Sequence, residues 1–292
     1  DRPGAHRQGG EKGQAKPPDQ HSLGASDRVS TEYRIFQLNA FTNASFSGAP
    51  AAVVPMEAFP SDDVLRGIAS DNNLSETAFT VPWTGDDADF HLRWFTPTVE
   101  VNLCGHATLA TAALYFTVLA WAEPKLRFMT ASGVLTIEQR GDSFAMDFPA
   151  LPTNAPVESP PFPCVAAAGG EVFNIYELAS SADVHAFKPD FKQIAALHHD
   201  SIIITAKGDP SLGDTTDIVS RMFGPNIGIP EDPVTGAAHC ALATFWPEKL
   251  GKTTLTATQV SARRGSLQLS LKGDRVELIG QAVLYLEGKI TV

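Results

Sequence analysis

The chain has 292 residues, 43% of them apolar and 19% charged, and a net charge of -11, which describes an ordinary globular protein with room for two cores. The negative charge argues against nucleic acid or an anionic membrane as partner, because both require a basic face. No apolar run reaches the roughly 18 to 20 residues of a membrane-spanning helix, and three cysteines without a CxxC spacing, Cys104, Cys164 and Cys240, suit a reducing, cytoplasmic setting better than a disulfide framework.

Residues 1–32 are rich in Gly, Pro, Gln and mixed charge without apolar periodicity, and are expected to form a disordered tail. Its acids Asp1, Glu11, Asp19 and Asp27 argue against a transit peptide. From Tyr33 the alternation of residues 33–38 predicts a strand with one buried face, and similar signals follow at 51–55, 77–81, 90–95, 126–130, 133–139 and 143–148. Between them the sequence predicts a helix over 61–72, N-capped by Ser61 with acids in its first turn, and a second over 106–120. That second helix carries no charge on any face, so protein must enclose it. A short helix of small residues enclosed by many strands predicts an α+β fold in which a barrel-like sheet wraps a central apolar helix.

Pro152, Pro156, Pro160, Pro161 and Pro163 interrupt regular pairing. They divide an N-terminal lobe, 33–150, from a C-terminal lobe, 151–292, whose last strand is free to return to the first lobe. Strand signals resume at 171–178, 201–206, 255–261, 266–271, 276–280 and 283–292. Sliding the chain over itself by 128 residues places Arg93, Phe95, Pro97, Ala110, Ala113 and Leu114 on Arg221, Phe223, Pro225, Ala238, Ala241 and Leu242, which indicates two similar lobes of duplicated origin.

Leu103-Cys104-Gly105-His106-Ala107-Thr108 stands at the mouth of the first buried helix, and Glu231-Asp232-Pro233-Val234-Thr235-Gly236-Ala237 at the mouth of the second, with Cys104 opposite Asp232. Small residues there leave backbone N–H groups open, and the helix dipole adds positive charge, so two such ends facing each other would clamp an anion. Glu76, in Leu74-Ser75-Glu76-Thr77-Ala78-Phe79, lies between a polar turn and an apolar strand. It reads either as a solvated turn residue or as a part-buried acid whose pKa burial raises toward neutrality. His106 is open between a core histidine and a ligand-facing one. A thiol racemase would need a second cysteine opposite Cys104, where Asp232 stands instead. Cys104, His106, His239 and Cys240 lack the usual zinc spacing, so no metal is expected. His198-His199-Asp200 and Arg263-Arg264-Gly265 read as turns, and the absence of GxGxxG, P-loop and Ser-elbow motifs argues against nucleotide chemistry.

The order of Phe46-Ser47-Gly48-Ala49-Pro50, Leu74-Ser75-Glu76-Thr77-Ala78-Phe79, Arg93-Trp94-Phe95-Thr96-Pro97, Leu103-Cys104-Gly105-His106-Ala107-Thr108 and Glu231-Asp232-Pro233-Val234-Thr235-Gly236 resembles the signatures of the phenazine-biosynthesis (PhzF-like) family, within the diaminopimelate-epimerase superfamily. The resemblance spans 33–292 and is nearest to the animal-type members. It implies two similar lobes with the active site between them, a homodimer, and neither metal nor organic cofactor. It also implies Glu76 as the proton-transferring residue and Gly105, His106, Asp232 and Gly236 as the substrate-binding set. The expected activity is a cofactor-independent isomerase or epimerase acting on a small carboxylated metabolite. Two departures, Ala237 for the usual Ser and Ala49 for the usual Asn, motivate the alternative of a non-catalytic binding or scaffold protein.

Overall fold

A computed structural model describes residues 30–197 and 199–292. The expected tail lies outside the described residues except for 30–32, as does His198. The first half contains β1 (Glu32–Ala40), β2 (Ala49–Pro55), α1 (Asp62–Asn72), β3 (Thr77–Pro82), β4 (Phe90–Phe95), β5 (Glu100–Val101), α2 (Gly105–Thr117), β6 (Lys125–Thr130), β7 (Gly133–Arg140) and β8 (Ser143–Pro149). The second contains β9 (Ala166–Gly169), β10 (Asn174–Glu177), α3 (Ser181–Ala186), α4 (Phe191–Ala195), β11 (Ile202–Lys207), β12 (Ile218–Gly224) and β13 (Ile229–Asp232). It continues through α5 (Gly236–Phe245), α6 (Pro247–Leu250), β14 (Thr254–Gln259), β15 (Gly265–Lys272), β16 (Arg275–Gly280) and β17 (Ala282–Thr291). The fold is α+β, with the 17 strands of the described residues in one mixed sheet.

The pairing pattern of one half recurs in the other. β2 runs parallel to β3, β3 antiparallel to β4, β4 antiparallel to β5 and parallel to β6, and β6, β7 and β8 form a meander. Correspondingly, β10 runs parallel to β11, β11 antiparallel to β12, β12 antiparallel to β13 and parallel to β14, and β14, β15 and β16 form a meander. The halves join where β8 pairs with β16, and β17 closes back onto β1. Residues 151–163, rich in proline, hold no regular strand, while Glu32–Val292 form one compact unit.

The uncharged helices are enclosed, as their composition demands. Every residue of α2 from His106 to Phe116 is buried, and α5 buries Gly236 and 238–243. The hydroxyls of Thr108, Thr111 and Thr117 would be costly there, but each donates to a carbonyl four residues back, Cys104, Ala107 and Ala113, at 2.6, 2.7 and 2.6 Å. Leu109 and Leu114, fully buried in the shared core, each contribute on the order of 1.5 to 3 kcal/mol of burial free energy. α2 ends at Thr117 rather than 120 because Ala120 takes a left-handed φ of 55° and turns Trp121 onto the Phe90 ring at 5.6 Å. Ser61 occupies the α1 N-cap, but its side chain makes no capping bond.

The Tyr115 hydroxyl, from α2, is bonded to Thr80 Oγ1 of β3 at 2.8 Å, and both groups are buried. Tyr115→Phe leaves the Thr80 hydroxyl unpaired and is expected to lower stability by about 1 to 3 kcal/mol. The double variant with Thr80→Val is expected to recover most of that loss in urea unfolding. A double variant no more stable than Tyr115→Phe would contradict the pairing.

Candidate active site

Each half uses one ion pair to aim its helix mouth. Arg93 of β4 grips Glu100 of β5 through Nε and a terminal nitrogen, both at 2.7 Å, and Arg221 of β12 grips Glu231 of β13 in the same way at 2.7 and 2.9 Å. Each guanidinium also lies over a ring of its own strand, Phe95 at 5.0 Å and Phe223 at 5.1 Å. The two-pronged geometry fixes the short strand more firmly than a single contact.

These clamps correct the register read from the sequence. Arg93 and Glu100 are 7 residues apart, Arg221 and Glu231 are 10 apart, so the second loop is three residues longer. The counterpart of the α2 N-cap, Cys104, is therefore the α5 N-cap, Thr235, and not Asp232. The counterpart is again not a thiol. Gly105 then matches Gly236, and the two meet: a Cβ added at either would lie 3.6 Å from the other's Cα. Neither cap side chain accepts a hydrogen bond from its helix, so two helix N-termini are brought together with donors unclaimed by their caps. Behind them the buried Phe41, at a left-handed φ of 61°, sets its ring against Gly236 and Gly280. A side chain at Gly280 would come within 2.7 Å of that ring.

Glu76 enters from the first half, one residue before β3, with its carbonyl accepting from Ala52 N at 3.3 Å. Its Oε2 lies 2.9 Å from His106 Nε2 but out of hydrogen-bond alignment, which leaves a buried carboxylate oxygen without an aligned donor. Burial works to raise the Glu76 pKa, as expected from the sequence, but the positive charge of His106, aided by the Cys104 thiol, outweighs it and holds the carboxyl below its ordinary range. Burial likewise works to lower His106, and the negative charges available on Cys104 and Glu76 reverse it, so His106 titrates well above an ordinary histidine. Burial and the Glu76 charge push the Cys104 thiol up. Cys104 therefore remains protonated near neutrality, and Glu76 is the anion that sustains the His106 charge.

The second half supplies Asp232, at the end of β13. Burial pushes its carboxyl above the ordinary range against the opposing influence of His106 and of Thr235, whose Oγ1 donates to Asp232 Oδ2 at 2.5 Å. Buried Gln259 locks this turn. Its Oε1 accepts from Thr235 N at 2.8 Å and its Nε2 donates to the Asp232 carbonyl at 2.7 Å and to Thr235 Oγ1 at 3.2 Å. His239, one turn into α5, bonds through Nδ1 to the Thr235 carbonyl at 2.8 Å, while its Nε2 has no partner.

Glu76, Gly105, His106, Asp232 and Gly236 thus converge, although they lie on three separate stretches of two half-folds. Sequence reasoning missed Thr235 and Gln259, whose roles depend on where β14 ends, and treated Cys104 as a small apolar residue although its Sγ lies 3.6 Å from His106 Nδ1. Arg263, expected simply in a hairpin turn, also ties the 39–48 loop down through Gly48 O at 2.7 Å and Asn39 Oδ1 and Ser47 O at 3.1 Å. His199 bonds the Gly170 carbonyl at 3.0 Å. A cavity of about 520 Å³ borders Thr42, Asp214, Thr256, Arg264 and Gln268, away from Glu76, whereas one of about 90 Å³ touches both helix mouths at Gly105 and Ala237. Glu76, His106 and Asp232 line neither of these two cavities, and the site is placed by its chemistry rather than by volume.

Comparison with known proteins places the fold among relatives. The family model described as phenazine biosynthesis-like protein matches residues 38–160 and 150–288. A Pseudomonas aeruginosa protein named as an uncharacterized isomerase is 45% identical over 89% of this chain and 99% of its own. The phenazine biosynthesis-like domain-containing protein of Rattus norvegicus is 37% identical over 88% of this chain and 98% of its own. The crystal structure of a PhzF-family phenazine biosynthesis protein from Enterococcus faecalis superposes with a TM-score of 0.83 at 38% identity, over 90% of this chain and all of that one.

Burial holds His239 down to about 4, from 6.5. Its folded value lies below its unfolded one, so its contribution to stability is complete above pH 6.5 and is lost as pH falls toward 4. The stability difference between the parent protein and His239→Gln, measured by urea unfolding, is expected to shrink by about 3 kcal/mol from pH 8 to pH 4. Parallel curves would show that His239 is not held neutral.

Proposed function

We propose that this chain, which belongs to the phenazine biosynthesis-like protein family, is an isomerase that moves a proton between two carbons of a small carboxylated metabolite, with Glu76 as the acid and base. The observation that carries the reading is the buried, donor-poor Oε2 of Glu76 beside His106, set where two helix N-termini meet at Gly105 and Gly236. The substrate carboxylate would sit on the first-turn N–H groups of α2 and α5, which is how a protein of net charge -11 holds an anion without a basic patch.

Glu76 then takes a proton from a carbon of the substrate, and the electron pair left behind spreads toward the bound carboxylate. The helix donors and the His106 cation stabilise that charge. Glu76 returns its proton to a second carbon, so the sum is an isomerisation with no proton gained or lost. The resting pKa of Glu76 is low because of His106. A bound anion nearby raises it and makes the carboxylate a stronger base once the substrate is in place.

No cofactor takes part in this scheme. A second copy of the chain completes the reading: β17 pairs only with β1 among the described residues and exposes Leu284, Tyr285 and Leu286, so its outer edge is open to another strand. Sedimentation of a monomer alone at micromolar concentration would contradict the dimer.

Incubation in D₂O with a pool of small amino and unsaturated carboxylic acids is expected to place deuterium in one of them, as read by mass spectrometry. Glu76→Gln is expected to slow that exchange by roughly 10² to 10⁴-fold with the circular dichroism spectrum unchanged. Exchange at the parental rate in Glu76→Gln would remove Glu76 from the mechanism.

A further inference from the structure

The smaller cavity, of about 90 Å³, lies against the two helix mouths without containing the acid and base. It touches Gly105, the first residue of α2, and Ala237, the second of α5. The rest of its wall holds no charged side chain. Phe148 comes from β8 at the seam with β16, Leu151 from just beyond it, Leu103 from the loop before α2, and Cys240 from the second turn of α5. Burial pushes the Cys240 thiol up to about 12, so it stays neutral at working pH. Arg275 and Asp147, whose charges reach Cys240, are bonded to each other at 2.9 Å. The Phe148 ring would stand 3.9 Å from a Cβ on Gly105, so apolar surface begins within van der Waals reach of the start of α2.

We infer that this cavity is an apolar subsite of the proposed active site, so that the substrate is a monocarboxylate carrying a compact hydrocarbon group rather than a diacid or a polyol. The inference rests on the placement of the substrate carboxylate at the two helix mouths. With the carboxylate on the first-turn N–H groups and the reacting carbon toward Glu76, the cavity beside Gly105 and Ala237 is where the remainder of the molecule leaves water. A cavity of about 150 Å³ holds benzene, so one of about 90 Å³ has room for roughly three to four carbon atoms. A second carboxylate placed there would lose its hydration and meet neither a cation nor a hydroxyl on the wall.

The test reads binding alone, so it stands apart from turnover. Calorimetric titration of the parent protein with the straight-chain acids from acetate to octanoate is expected to show affinity rising by about fourfold per added methylene. The rise is expected to continue to pentanoate or hexanoate and then level. Glutarate, as long as pentanoate but charged at both ends, is expected to bind roughly tenfold or more weakly than pentanoate. Ala237→Leu, a change at an exposed position on the cavity wall, is expected to flatten the series. Leu103→Ala, also at an exposed position, is expected to move the levelling point to a longer acid.

Affinity independent of chain length, glutarate equal to pentanoate, an unaltered series in Ala237→Leu, or no binding of any acid would overturn the subsite. Deuterium exchange judges proton transfer separately. Exchange into a diacid or a polyhydroxy acid would uphold the isomerase reading while sinking this one. Graded, Ala237-dependent binding with no exchange in any acid would support the subsite and count against proton transfer.

Discussion

Two helices without a charged face must be hidden, and here one sheet hides both and brings their N-termini together. α2 and α5 are surrounded by strands along their length, so the polar groups that a helix must leave unpaired at its start emerge in one place. Gly105 and Gly236 meet there, near enough that a Cβ on either would touch the opposite backbone at 3.6 Å. The Arg93–Glu100 and Arg221–Glu231 clamps hold the two incoming loops, and Phe41 fills the space behind. The site is in this sense a by-product of how the two half-folds solve the same burial problem.

Around that meeting point the two halves have diverged. The first contributes an ion pair, with Glu76 held acidic and His106 held cationic by each other. The second contributes a carboxyl, Asp232, driven the other way by burial and fixed by Thr235 and Gln259. Two carboxyl groups pushed in opposite directions by their surroundings are thereby given different roles. It arises here from one duplicated scaffold with different side chains at its two mouths.

Much of this was legible in the sequence for physical reasons. An uncharged run such as 106–116 has nowhere to go but the interior, and alternation in segments such as 33–38 and 143–148 can satisfy just one buried face. β5, β9 and β13 are too short for any periodicity to show. The register of the repeat was misread by three residues at the helix mouths, because shared Ala and Leu reward any alignment of two apolar helices, whereas the Arg–Glu clamps that define the true register are visible only as contacts. The direction of the Glu76 pKa was misjudged as well. Burial can be inferred from a neighbouring apolar strand, but the His106 charge that outweighs it comes from another stretch of chain. Gln259 carried no signal at all, since a buried glutamine is informative only once its partners are known.

The central claim is that a small carboxylate binds where α2 and α5 meet, with Glu76 at its reacting carbon. The most direct measurement is a crystal structure of the protein with the small carboxylic acid that exchanges deuterium in its presence, or with a slowly reacting analogue. The account predicts the carboxylate on the N–H groups at the starts of both helices, near Gly105 and Gly236, and a carbon in van der Waals contact with Glu76. A ligand seated instead in the cavity beside Thr42, Arg264 and Gln268, with the helix mouths bearing only water, would contradict it.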